Sequence, residues 1–139
     1  MMALVDTPLW SLALRRSPAD LNPVEHQLTE MLAELIREGR VQLVGPVRQE
    51  LLSGIREETQ FRKLREYLRA FPEPALEAED YEEAASMNNR CRARGIAGSA
   101  IDFLICAAAL RREWSIFTTD RDFHNYASVL RLNLLQPIA

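Results

Sequence analysis

Apolar and polar positions along this chain change rhythm in a regular order. Met2-Ala3-Leu4-Val5 is a short unbroken apolar run and reads as a buried strand. Thr7-Pro8 reads as a helix start, with Thr7 as N-cap and Pro8 at the first helical position. That helix covers Leu9–Arg15 and ends near Ser17-Pro18. Asn22-Pro23 opens a second helix over 23–38, with Val24, Leu28, Met31, Leu32, Leu35 and Ile36 at helical spacing and Gly39 as its stop. Residues 41–44 read as a strand. Gly45-Pro46 then starts a third helix, with Val47, Leu51 and Ile55 on one stripe.

A further helix is predicted over 59–70, with Phe61, Leu64 and Leu68 inside. Phe71-Pro72-Glu73-Pro74 breaks the chain, and 75–77 allows a short edge strand. Residues 78–94 form a helix that is acidic at its start and basic at its end, as the helix dipole favours. Gly95 to Gly98 interrupts the pattern, and 99–112 is the most apolar helix. A strand over 114–118, a helix over 122–130 and a last strand over 131–135 complete the order. Strands alternating with helices predict an α/β fold, a three-layer α/β/α sandwich around a mostly parallel sheet of about five strands.

The length of 139 residues predicts one domain over 1–139, with enough apolar content (47%) for a real core. The net charge of −3 supplies no global field toward nucleic acid, so any such binding uses a local patch. The cations are almost all arginine, with Lys63 alone as lysine. Arginine suits phosphate, though a plain compositional preference explains the excess equally well. Cys91 and Cys106 are too few for a disulfide framework. No basic-then-apolar leader is present, and Asp102 breaks the longest apolar run. A reducing cytoplasmic setting is therefore expected.

Four acids stand where a strand ends or a helix begins: Asp6, Glu50, Asp102 and Asp120. Asp6 closes the first strand, Glu50 lies early in the third helix, Asp102 is three residues past Ser99, and Asp120 follows the strand ending Thr118-Thr119. In a parallel sheet these places share the carboxyl edge, where such folds put their ligands. Each acid also has an ordinary role as a turn, cap or solvated residue. Asp6 is the hardest to dismiss, because it ends a strand that should be central. On the helical wheel Glu50 falls beside Val47 and can face inward. Carboxylates without thiolate or imidazole neighbours select hard cations, Mg²⁺ or Mn²⁺. His26 and His124 are read as surface residues, so a zinc site is not expected. Such a pocket suits phosphodiester hydrolysis.

The ordered motifs Val5-Asp6-Thr7, Val47-x-x-Glu50-Leu51-Leu52-x-Gly54, Ser99-x-x-Asp102-x-x-Ile105-x-Ala107 and Thr118-Thr119-Asp120-x-Asp122-Phe123 resemble the PIN-domain ribonucleases. The nearest likeness is to the VapC-type toxins of bacterial toxin–antitoxin pairs. The resemblance covers nearly the whole chain. It implies a metal-dependent endoribonuclease with an acidic pocket of Asp6, Glu50, Asp102 and Asp120. Asp122 would be an outer ligand or would replace Asp120 in part, and Thr7, Ser99, Thr118 and Thr119 would support the site. Pro8 departs from the family's usual Ser or Asn, which removes a polar group near the pocket. Arg48, Arg56 and Arg121 are the cations placed to hold RNA phosphate, although ion pairing or solvation would also account for them.

The resemblance further implies a small antitoxin partner and a homodimer. Leu9, Trp10, Leu12 and Leu14, with Leu28, Leu32 and Leu35, would offer an apolar groove to an antitoxin helix, with Trp10 as the residue most expected to stay outside the core. Other readings fit less well. A haloacid-dehalogenase-like phosphotransferase wants an Asp where Pro8 stands, and a receiver domain wants a lysine at a late strand end. A housekeeping PIN nuclease for RNA processing and a non-catalytic RNA- or partner-binding PIN module remain open alternatives.

Overall fold

The structure, a computed structural model, describes residues 1–136. The chain runs β1 (Ala3–Val5), α1 (Thr7–Arg15), a single 3₁₀ turn (Pro18–Asp20), α2 (Pro23–Arg37), β2 (Val41–Gln42), α3 (Gly45–Leu52), α4 (Glu58–Leu68), α5 (Ala78–Ala93), α6 (Ala100–Arg112), β3 (Ser115–Phe117) and α7 (Asp122–Ala127). The strands form a parallel sheet in the order β2-β1-β3. The two chain crossovers leave β1 and β2 in opposite directions. Right-handed connections then put α1 and α2 on one face and α5 and α6 on the other. Every residue of β1 and β3 is buried, as a sheet covered on both faces requires.

The sheet has three strands among the described residues, where about five were expected. The predicted edge strand at 75–77 does not form; the stretch has no regular structure, and just before it the Leu43 N–H donates to the Pro72 carbonyl. The predicted last strand shrinks to one parallel bridge between Ile116 and Leu134. The helices lie close to their expected spans.

Two local corrections bear on the site. Asp6, not Thr7, caps α1: its side chain accepts a hydrogen bond from the Thr7 N–H. Trp10 is fully buried, donates its indole N–H to the Val5 carbonyl at 3.1 Å and packs edge-on against Phe71. It belongs to the core and fixes α1 to β1, so the groove residue expected to stay outside lies inside. Leu9, Leu12, Leu28, Leu32 and Leu35 are buried with it, while Leu14 stays exposed.

On the other face, Asp80 in the first turn of α5 is fully buried. It accepts hydrogen bonds from Arg111 at 2.7 Å and from both terminal nitrogens of Arg112 at 2.7 and 2.9 Å. The start of α5 is thus tied to the end of α6 across the bundle.

Candidate active site

Asp6 follows β1 directly, and β1 is the central strand, so its carboxylate sits at the sheltered middle of the sheet's carboxyl edge. It is only 6% exposed. One oxygen accepts from the Thr7 N–H at 2.9 Å and the other from the Thr118 hydroxyl at 2.8 Å. Burial pushes this carboxyl up to about 6 from 3.8, against the pull of those two hydrogen bonds; the charges of Asp102 and Glu50 push the same way. Thr118 therefore links β3 to β1 at the site, and the same hydroxyl accepts from the Asp120 N–H at 3.0 Å.

Asp102 arrives from the first turn of α6. Its N–H donates to the Ser99 hydroxyl at 3.0 Å, but its carboxylate does not complete the reciprocal capping bond. Instead it accepts from the Tyr126 hydroxyl at 2.6 Å. Burial, with Asp120 and Asp122 nearby, raises the Asp102 carboxyl above its ordinary value even though Tyr126 and Ser99 lower it. Asp120 accepts from the Asp122 N–H at 2.9 Å, which sets the entry into α7. Asp102, Asp120 and Asp122 each place one carboxylate oxygen so that all three lie within 4.8 Å of one another.

The expected acids thus separate into a tight trio with Asp6 electrostatically coupled to it. Asp122, read as an outer ligand, is a full member of the trio. Glu50 is exposed on α3 and meets the others only through its field on Asp6; it lies at the rim rather than inside. Of the supporting hydroxyls, Thr118 and Ser99 bond as described. Thr119 is exposed, and the buried Thr7 hydroxyl has no hydrogen-bond partner. Arg48 is ion-paired with Glu73 and donates to the Leu68 carbonyl, whereas Arg56 and Arg121 are exposed. Cys106 lies buried one turn below Asp102, and burial pushes its thiol well up, so it contributes bulk and no reactive thiolate.

The sequence reading missed Tyr126 and Gly98. Tyr126 is buried between Phe103 and Phe123, with ring centroids 4.9 and 5.3 Å away. Gly98 lies against it: a Cβ there would stand 2.6 Å from the tyrosine hydroxyl. The spacing of Phe123 and Tyr126 on one helix face signalled burial, but nothing local pointed to Asp102.

Among the described residues no Arg, Lys or His pairs with Asp6, Asp102, Asp120 or Asp122. Converging, partly buried carboxylates without a counter-charge are costly. An all-oxygen donor set of this kind fits a hard divalent cation.

The family model for the PIN domain matches residues 4–129. No curated protein matches the sequence. Solved structures with the same fold include FitAcB from Neisseria gonorrhoeae, 21% identical over 98% of both chains with a TM-score of 0.74. VapBC2 from Rickettsia felis, bound to a DNA fragment from its promoter, is 14% identical over 97% of this chain and 98% of that one, with a TM-score of 0.75. A toxin–antitoxin complex from Klebsiella pneumoniae is 14% identical over 98% of both chains, with a TM-score of 0.73.

Proposed function

The chain belongs to the PIN-domain family, and from that premise we propose that it is a single-domain, divalent-metal-dependent endoribonuclease acting as the toxin of a toxin–antitoxin pair. The observation that carries this reading is the set of acids without a counter-charge: Asp102, Asp120 and Asp122 within 4.8 Å, and Asp6 buried beside them. Asp6, Asp102, Asp120 and Asp122 would hold Mg²⁺ or Mn²⁺, with Glu50 at the rim. The bound ion would polarise the phosphoryl oxygen and lower the pKa of a coordinated water.

The chain's own groups prepare that site. Thr118 and the Thr7 N–H hold the two oxygens of Asp6 at 2.8 and 2.9 Å, so its carboxylate keeps one orientation. The Asp122 N–H does the same for Asp120 at 2.9 Å. The exposed Arg121, next to Asp120, and the exposed Arg56 would meet RNA phosphates, and their guanidiniums would offset the repulsion between an acidic pocket and a polyanion.

An antitoxin partner is supported by the toxin–antitoxin complex among the structures with this fold. Its seat on this chain would be the cleft between α1 and α2, where Leu14, Leu21, Ile36 and Tyr67 line the opening. A homodimer and a cytoplasmic setting complete the proposal. Among the described residues no helix is long and apolar enough to cross a membrane.

The test is cleavage of end-labelled RNA by the purified protein in Mg²⁺ or Mn²⁺. Asp6→Asn should abolish cleavage while keeping the fold, since Asn also caps a helix and accepts the Thr118 bond. Undiminished cleavage by that variant, or by wild type in EDTA, sinks the mechanism. Co-expression with the neighbouring upstream gene should relieve growth inhibition by the wild type.

A further inference from the structure

The apolar cluster beneath the acids contains one polar atom whose placement packing alone does not explain. Tyr126 is 1% exposed, wedged between Phe103 of α6 and Phe123 of α7. Phenylalanine would fill the same space with no polar atom to satisfy. A buried hydroxyl needs a partner, and this one finds Asp102 at 2.6 Å, the short distance of a hydroxyl donating to a charged carboxylate. Gly98 makes room for this: a Cβ there would meet the Tyr126 hydroxyl at 2.6 Å, its ring at 2.7 Å and the Phe103 ring at 2.8 Å.

We infer that Tyr126 is a positioning residue for the acidic pocket, locked by Gly98, Phe103 and Phe123 so that its hydroxyl fixes Asp102 in the orientation a divalent cation requires. Three segments meet in this lock: the loop at Gly98, the start of α6 with Asp102, and α7 with Asp122. In the same conformation that brings Asp102 within 4.8 Å of Asp120 and Asp122, its carboxylate accepts the Tyr126 bond, so that bond favours the assembled pocket before any ion arrives. Thr118 does this for Asp6 from the β3 side; Tyr126 does it for Asp102 from below. The inference rests on the metal-pocket reading above and adds to it the device that sets its geometry.

The experiment measures Mn²⁺ affinity by titration calorimetry, together with the metal-free melting temperature, for wild type, Tyr126→Phe, Gly98→Ala and Asp102→Asn. Tyr126→Phe keeps the ring and should bind Mn²⁺ about tenfold more weakly, with the metal-free protein melting no lower than wild type. Gly98→Ala puts a Cβ against the same hydroxyl and should lose Mn²⁺ affinity in the same direction, which keeps the inference testable if one variant folds poorly by circular dichroism. Asp102→Asn should lose more than either. Wild-type affinity in Tyr126→Phe, with binding lost in Asp102→Asn, overturns the positioning role and leaves the pocket standing. Equal affinity in wild type and Asp102→Asn removes the pocket, and the inference with it.

Discussion

Asp80 and Asp102 occupy the same local position, the first turn of a long helix, and have opposite fates. Asp80 completes a capping box with Glu77 and takes two guanidiniums besides. The hydrogen bond from Arg112, with help from Glu77 and Arg111, holds its carboxyl well below the usual carboxylate range despite burial. Asp102 finds a tyrosine hydroxyl and other carboxylates, and its carboxyl is raised. One cluster is complete as folded and binds α5 to α6. The other has hydroxyl and N–H donors but, among the described residues, no paired cation. An acid that opens a helix is therefore neutralised or left without a counter-charge according to what the distant chain brings to it.

Removing Asp80 from the one cluster, or Asp6 beside the other, should have opposite consequences. Asp80→Ala leaves two partly buried guanidiniums with only the more distant Glu77 at 3.9 Å as counter-charge and should cost about 3 kcal/mol of stability, read from the urea midpoint, with no recovery in Mn²⁺. A wild-type midpoint would mean that the Asp80 cluster is not the structural one.

Asp6→Asn should act in the opposite direction. The Asp6 carboxyl titrates at about 6 in the folded protein against 3.8 as a free group. The folded state therefore holds the extra proton between those values. Stability falls as pH rises from about 4 to 6 and stays lower above. Metal-free Asp6→Asn should then be more stable than wild type by about 1–2 kcal/mol at pH 7, within a ceiling of about 3 kcal/mol from the full shift. The gain should vanish near pH 4, and saturating Mg²⁺ should reverse the order by stabilising wild type alone. A pH-independent difference in melting would contradict the burial account.

Two arginines give a smaller contrast. Arg48 is paired with Glu73 and bonded to the Leu68 carbonyl, so Arg48→Ala should cost about 1 kcal/mol in thermal melting. Arg121 is exposed beside Asp120, so Arg121→Ala should leave melting unchanged and weaken RNA binding several-fold, measured by fluorescence anisotropy on the Asp6→Asn background. The reverse pattern would exchange their assigned roles.

Much of this was legible in one dimension. The apolar run before Asp6 marks the central strand, Asn22 with Glu25 marks a capped helix, and the Gly95–Gly98 break separates α5 from α6. The order of Asp6, Glu50, Asp102 and Asp120 relative to those elements pointed to one sheet edge, and Asp102 and Asp120 do meet there. The short strands misled the count, because a one-residue bridge at Leu134 and an irregular segment after Pro72 carry strand-like composition without a ladder. Trp10 misled as well: its indole finds the Val5 carbonyl, a partner its own helix does not announce.

Local chemistry along the chain determined which residues begin helices, which strand is central and which acids share an edge, since capping and hydrophobic periodicity act over a few residues. Only the folded chain decided that Asp80 is neutralised by arginines while Asp102 meets Tyr126, that Glu50 stays at the rim and that Asp122 joins the trio. Those outcomes depend on contacts between segments far apart in sequence, and a carboxylate's charge state follows the groups packed around it in space.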